Sequence, residues 1–292
     1  MTTSDYRSNP ENFCYRHPDR QSFVLCQRCL RTVCAECQTQ LPVGVICPEC
    51  QGEQAKNAKV TRISQGASAY RARDIRPVAT YVIIAITSLV SVLQLFPGIG
   101  PFLTQSFALF PPLLYPQLFG YFEPWRLLTV LLVHGGIWHL LLNMFALWLM
   151  GRTLEPLIGR LRFVVLYLLS GLGGSVMVVL FGFDTSVVGA SGAIFGLFGA
   201  TLVIGRHLNA NIKGIAVILA INLVITFLPT LLGGSLQISW QGHVGGLLAG
   251  FLVGFILVKT KRLNQRGMQA ALLSLTAAAL IGLLVAAPAL LG

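Results

Sequence analysis

From Pro77 to the C-terminus the chain alternates long apolar runs with short polar connections, whereas residues 1 to 76 are polar. Each run approaches the ~20 residues that an α-helix needs to cross the hydrocarbon core of a bilayer. The pattern predicts seven spans, at roughly 77–96, 137–151, 161–182, 188–206, 212–231, 240–258 and 269–290. Between the first two lies another apolar stretch, 97–136, carrying Pro97, Pro101, Pro111, Pro112, Pro116 and Pro124, with Glu123, Trp125 and Arg126 near its end. So many prolines exclude an uninterrupted spanning helix. The aromatic residues of this stretch suit a structure lying in the outer membrane interface instead.

Composition agrees: 54% of residues are hydrophobic and 11% charged, which argues against a soluble globular domain. The net charge of +11 raises the question of a nucleic-acid partner, and its distribution answers it. Of the 21 Lys and Arg residues, 11 precede Pro77 and 9 fall at 152–162, 206–213 and 259–266, leaving only Arg126 elsewhere. Such asymmetry places the N-terminus and these connections in the cytoplasm. Anionic lipid then accounts for the basic surface, and no nucleic acid is invoked. The first 76 residues contain no apolar run beside a basic start, so targeting is expected to fall to the first span.

With that orientation, three polar groups enter the bilayer from the outer side. His134-Gly135-Gly136 opens the second span, which continues through His139 and Asn143, four residues apart on one helix face. Gly189-Ala190-Ser191-Gly192 opens the fourth, and Gln241-Gly242-His243 opens the sixth. Ser191 and His243 are therefore expected at similar depth. Gly242, Gly246 and Gly250 form a stripe without side chains, and Gly189, Ala190, Gly192, Gly196 and Gly199 give the fourth span a similarly small surface. Helices so built can pack closely. A serine beside an imidazole is an activated nucleophile. Glu155 and Asp184 are the only acids between the second and seventh spans, so a Ser-His dyad is expected rather than a triad. His139 and Asn143 would join the Ser191 amide in holding the oxyanion of acyl transfer. Each residue alone has a bland reading: a packing serine, a packing glycine, or an intramembrane His or Asn that cross-links helices or lines a path. His134 is read as structural or interfacial. The combination is what points to chemistry.

These residues resemble the rhomboid intramembrane serine proteases. The resemblance rests on Trp125-Arg126, His139-x-x-x-Asn143, Gly189-Ala190-Ser191-Gly192 and Gly242-His243-x-x-Gly246-x-x-x-Gly250, in that order, and covers about residues 77–260. It implies an all-α polytopic bundle of six helices, with Ser191 as nucleophile, His243 as general base, and His139, Asn143 and the Ser191 amide as the oxyanion site. It also implies that the proline-rich stretch is the family's first loop, that Phe195 stands where some members carry a tyrosine packing on the histidine, and that Glu155 is structural. The span at 269–290 looks like the six-plus-one arrangement seen in part of the family. Implied substrates are single-pass transmembrane proteins, cut near the outer face. A helix has its peptide bonds paired internally, so it must unwind before attack.

All seven cysteines lie between 14 and 50, and with His17 they make four pairs: Cys14-x-x-His17, Cys26-x-x-Cys29, Cys34-x-x-Cys37 and Cys47-x-x-Cys50. Eight soft ligands suit two tetrahedral Zn²⁺ sites. A disulfide framework is the rival reading, disfavoured by the odd count and a reducing compartment. The spacing resembles a B-box-type zinc finger whose last pair is Cys-x-x-Cys. That resemblance implies a cross-braced pairing, Cys14, His17, Cys34 and Cys37 on one ion and Cys26, Cys29, Cys47 and Cys50 on the other. With every ligand position filled, the zinc would be structural.

The expected organisation is a zinc-binding domain at 1–52, a basic linker at 53–76, a protease core at 77–260 and an additional transmembrane helix in 261–292. The expected location is the bacterial plasma membrane, with the active site near the outer face and the finger open to a cytoplasmic protein partner. Two other readings stay open. One is a catalytically silent rhomboid-like protein that binds membrane clients and recruits a partner through the finger; the other is a transporter, whose usual midplane charges are missing here.

Overall fold

The computed structural model describes residues 9–41, 44–57, 76–231 and 238–291. Most of the linker expected over 53–76, and residues 232–237 of the outer loop before the sixth span, lie outside them. Two compact units divide the chain between Asp74 and Ile75.

Among its described residues the first unit holds two antiparallel pairs of short strands, β1 (Phe13–Cys14) with β2 (His17–Gln21) and β3 (Thr39–Gln40) with β4 (Val45–Ile46), followed by helix α1 (Pro48–Asn57). Registers Cys14↔His17 and Thr39↔Ile46 put cysteines at or beside the strand pairs. Its buried cluster consists of six cysteines with Val33, Val45 and Ile46. Three aliphatic side chains are too few to hold such a piece together by hydrophobic burial alone.

The second unit is helical among its described residues. In chain order it contains α2 (Val78–Leu93), α3 (Ile99–Phe107), α4 (Pro116–Phe119), α5 (Arg126–Thr129), α6 (Ile137–Ile158), α7 (Arg160–Phe181), α8 (Ser191–His207), α9 (Lys213–Leu231), α10 (Trp240–Lys259) and α11 (Arg266–Leu291). The seven predicted spans correspond to α2, α6, α7, α8, α9, α10 and α11. By length and composition, α6, α7, α10 and the stretch Leu263–Leu290 can each cross a membrane, while α2 and the apolar part of α9 are shorter. Leu141, Leu142, Phe145, Leu161, Val224, Leu275 and Val285 all face outward. An exposed apolar surface of that extent is stable against lipid and not against water.

In the stretch 97–136 three of the prolines sit where helices begin: Pro111 and Pro112 open a 3-10 turn and Pro116 opens α4, positions that need no amide donor. The buried Arg126 gives Nη1 to Ala108 O at 2.7 Å and pairs with Glu123. Trp125 Nε1 donates to Ser106 O at 3.1 Å. Polar side chains thus satisfy carbonyls that no helix supplies with a donor.

Helix α8 lies at the centre, buried along most of its length between α7 and α10. The three meet backbone to backbone. A methyl group at Gly246 would lie 1.9 Å from Gly192 O, one at Gly250 2.0 Å from Gly196 O, and one at Gly245 2.4 Å from Gly173 O. The glycine stripe on α10 was legible in sequence, but its second partner, α7 with Gly173 and Gly174, was not. Gly242 contributes its carbonyl to this contact, against Gly174 and Gly192, rather than a missing side chain.

Buried Glu155 accepts the amides of Ala79 and Thr80 at 2.9 and 2.8 Å and the Thr80 hydroxyl at 2.7 Å, so a carboxylate on α6 caps α2. Bonds from Arg162 Nε to Gln269 Oε1 (2.7 Å) and between Lys261 Nζ and His207 Nε2 (3.1 Å) gather the basic connections at one end of the bundle. At the other end, Gln241 Nε2 reaches Phe181 O at 3.1 Å.

Gly246→Ala is expected to lower the thermal midpoint in detergent, since overpacking costs about 1–3 kcal/mol. Gly282→Ala, where an added methyl group meets nothing within 4 Å, should leave the midpoint unchanged or raise it.

Candidate functional site

Helix α8 begins at Ser191 because the chain before it is held extended by the loop. Leu109 and Val187 exchange N–H···O bonds of 3.0 and 2.9 Å, and Gly189 N donates to Val130 O at 3.0 Å. Ala190 N then turns to His134 Nε2 at 3.5 Å. Gly189 has φ +120°, and a side chain there would meet the His139 ring at 2.7 Å, so both the backbone and the space require glycine. Ile194 N makes the first intrahelical bond of this stretch, to Ala190 O at 3.1 Å. The amides of Ser191, Gly192 and Ala193 precede it, at the positive end of the helix dipole.

Ser239 caps α10 by accepting from Gly242 N at 3.2 Å, which fixes the first turn carrying His243. Across the α8–α10 contact His243 Nε2 lies 2.8 Å from Ser191 Oγ. The Phe195 ring stacks on the imidazole, with centroids 4.1 Å apart and planes 10° from parallel. His243 is buried, while Ser191 is partly accessible.

His139 and Asn143 stand one turn apart on α6. Gly135 N donates to His139 Nδ1 at 3.3 Å, which leaves the ring proton on Nε2, the atom that faces Gly189. Asn143 Nδ2 gives one hydrogen to His139 O at 2.8 Å and has a second; its Oδ1 is buried without a partner. His134 proves to be fully engaged. Its Nδ1 meets Ser91 Oγ at 3.0 Å, Ser91 passes its own hydrogen to Leu132 O at 3.1 Å, and His134 N donates to Gln94 Oε1 at 2.9 Å. The arrangement locks α2, α6 and the approach to α8 together.

One neighbour escaped the sequence reading: Thr226 of α9, whose Oγ1 lies 2.8 Å from His243 Nδ1 and donates to Asn222 O at 2.8 Å. The available signal was an Asn and a Thr four residues apart in an otherwise apolar span, a pattern that more often reports a helix bonding to itself.

In the first unit, two tetrads could each hold a metal ion: Cys14, His17, Cys34 and Cys37, and Cys26, Cys29, Cys47 and Cys50, the ligand atoms of each lying within 4.8 Å of one another. All seven cysteines are free thiols. His17 Nδ1 is 3.9 Å from Cys14 Sγ and 3.4 Å from Cys34 and Cys37 Sγ, and Cys29 and Cys47 Sγ are 3.7 Å apart. A tetrahedron with Zn–S of ~2.3 Å and Zn–N of ~2.0 Å has edges of about 3.5–3.8 Å, so the donors fit the ion in chemistry and spacing. Burial opposes ionisation of Cys14 and Cys26, but backbone amides directed at each sulfur prevail and hold both thiols at about 6. Burial and neighbouring thiols push Cys37 up to about 11 and Cys50 to about 12. Thiols crowded in this way ionise together only beside a cation.

A family model described as Rhomboid domain matches residues 121–260, a stretch that contains His139, Asn143, Ser191 and His243 and leaves out the first unit, α2 and α11. The mitochondrial RHOMBOID-like protein 6 of Arabidopsis thaliana is 41% identical over 143 residues, 47% of this chain and 44% of that protein. Rhomboid protease GluP of Bacillus subtilis (strain 168) is 36% identical over 184 residues, 60% of this chain and 34% of its own length. From the same bacterium, the YdcA protein, also named for the rhomboids, is 37% identical over 145 residues, 48% of this chain and 70% of its own length. The chain thus spans less than half of the plant relative and of GluP.

Titration with Co²⁺ should saturate at one ion for each of the two tetrads, read from the visible bands of tetrahedral thiolate coordination, and Cys50→Ser should abolish the binding of one.

Proposed function

The chain belongs to the rhomboid family, and from that premise we propose that it is an intramembrane serine endopeptidase that hydrolyses peptide bonds in or near the transmembrane segments of membrane proteins. The observation that carries this reading is the 2.8 Å contact between His243 Nε2 and Ser191 Oγ in the apolar unit, within the distance at which an imidazole can accept a hydroxyl proton.

Ser191 Oγ attacks the scissile carbonyl as His243 Nε2 takes its proton. The carbonyl oxygen becomes an oxyanion, for which the Ser191 amide, His139 Nε2–H and the second hydrogen of Asn143 Nδ2 are the available donors. His243 then protonates the leaving amine, and water hydrolyses the acyl-enzyme by the same route reversed. The bond attacked must belong to an unwound segment, because a helical carbonyl is already paired.

The charge bias and the length of α8 support a placement near the outer face. At ~1.5 Å per residue, α8 is ~25 Å long, less than the ~30 Å hydrocarbon core. With Arg206 and His207 at the cytoplasmic interface, the Ser191 end stops short of the opposite one. The substrates proposed are therefore single-pass proteins entering from the bilayer.

For the N-terminal unit the proposal is a B-box-like module with two structural Zn²⁺ ions, held by Cys14, His17, Cys34 and Cys37 and by Cys26, Cys29, Cys47 and Cys50. The ions would hold the short strands and α1 together and leave no ligand position for catalysis. A cytoplasmic protein is its proposed partner.

Purified protein in detergent, incubated with a panel of transmembrane substrates, should lose cleavage by on the order of 10⁴-fold or more in Ser191→Ala and His243→Ala. Asn143→Ala should retain binding and lose about 10²–10³-fold in kcat. Cleavage that persists in Ser191→Ala would overturn the reading.

A further inference from the structure

We propose that Thr226 is the positioning residue of the site: it fixes the tautomer and orientation of His243, a task that a carboxylate performs in a Ser-His-Asp triad. The proposal rests on the reading of Ser191 as nucleophile and His243 as base.

The argument is one of hydrogen counting. The Thr226 hydroxyl has a single hydrogen, and it goes to Asn222 O, four residues back on α9, at 2.8 Å. Toward His243 Nδ1, 2.8 Å away, the oxygen has only lone pairs left to offer, so Nδ1 must be the protonated nitrogen. A neutral imidazole carries one N–H. Nε2 is therefore the bare nitrogen, and it is the one 2.8 Å from Ser191 Oγ. The opposite tautomer would turn Nε2–H toward the serine and leave it with no base.

Burial makes this constraint effective. Thr226 is 2% exposed and His243 9%, so water does not readily replace the hydroxyl, and an unpartnered Nδ1–H would carry its full desolvation penalty. Among the described residues His243 Nδ1 meets no carboxylate, and Glu155 is committed to the first turn of α2. Phe195 confines the ring from its flat side, but a stacked ring can still turn about its Cβ–Cγ bond, which would put carbon atoms where Nδ1 and Nε2 now face Thr226 and Ser191. The hydrogen bond at Nδ1 opposes that turn and also selects the tautomer. When Ser191 transfers its proton the imidazolium keeps both hydrogens, and Nδ1–H remains on the Thr226 oxygen, which the Asn222 carbonyl polarises. No proton passes to Thr226.

Thr226→Val keeps the shape and removes the acceptor, and Thr226→Ser restores it. The first readout is the rate at which a fluorophosphonate labels Ser191, since this probe reports activation of the nucleophile without substrate binding. The second is kcat and KM on a cleaved transmembrane substrate. Thr226→Val should lower labelling and kcat by about tenfold with KM unchanged, the scale of one buried hydrogen bond. Thr226→Ser should stay close to wild type. Thr87→Val, which removes a buried hydroxyl without a partner on α2, should change neither. Labelling at the wild-type rate in Thr226→Val, with Ser191→Ala unlabelled, would overturn the positioning role and leave the protease reading intact; labelling that survives Ser191→Ala would overturn both. Independently of any variant's folding, the unmodified protein with ¹⁵N-labelled histidine, assigned by comparison with His243→Ala, should show His243 protonated at Nδ1 and bare at Nε2. The reverse assignment would also overturn the proposal.

Discussion

The apolar unit depends on the backbone contact between α8 and α10. Where two helices in lipid have no water to expel from between them, packing must come from dispersion, and dispersion grows as the backbones approach. Gly192 and Gly196 face Gly246 and Gly250 with no room for a methyl group. The same approach sets how far the side chains at the top of the two helices stand apart. Ser191 and His243 meet at 2.8 Å because the helices below them touch; larger residues in the stripe would separate both the helices and the pair. Stability and the candidate chemistry thus rest on one contact.

A second constraint governs everything polar in this unit, since a group without a partner in lipid is costly. Glu155 caps α2, Arg126 serves the carbonyl of Ala108, and His134 closes a chain through Ser91 to Leu132 O. These residues join elements that are distant in sequence, and they do so by satisfying atoms that helices leave open. The groups around Ser191 are arranged differently. The first amides of α8 precede its first intrahelical bond, and Asn143 Nδ2 keeps a second hydrogen beyond the one it gives to His139 O. Donors held in place and left unspent are what a developing negative charge requires.

The N-terminal unit solves its folding problem by other means. Cysteines rather than aliphatic residues occupy most of its interior, and their thiols crowd within tetrahedral distance of one another. Hydrophobic burial is small for such a chain length. A metal ion in each of the two tetrads, as proposed, would give the short strands a common anchor.

Much of this was legible in the sequence. Seven apolar helices followed from hydropathy, four of the stretches being long and apolar enough to cross a membrane, because lipid selects apolar residues wherever a helix crosses it. Ser191, His139, Asn143 and His243 stood out because polar residues in such spans are rare. The Cys and His pairs stood out as candidate ligands through their spacing, and the glycine stripe of α10 declared a close contact. Only the tertiary structure showed which surfaces meet. It identified α7 as the second partner of α10, put Glu155 on α2, placed Pro111, Pro112 and Pro116 at helix starts, and brought Arg126 and Trp125 to carbonyls at the end of α3. It also brought Thr226 to His243. A threonine in a membrane helix satisfies itself on the preceding turn and so gives no local sign of a further partner, and a hydrogen bond between two helices depends on their rotation and depth, which a one-dimensional pattern of polarity does not carry.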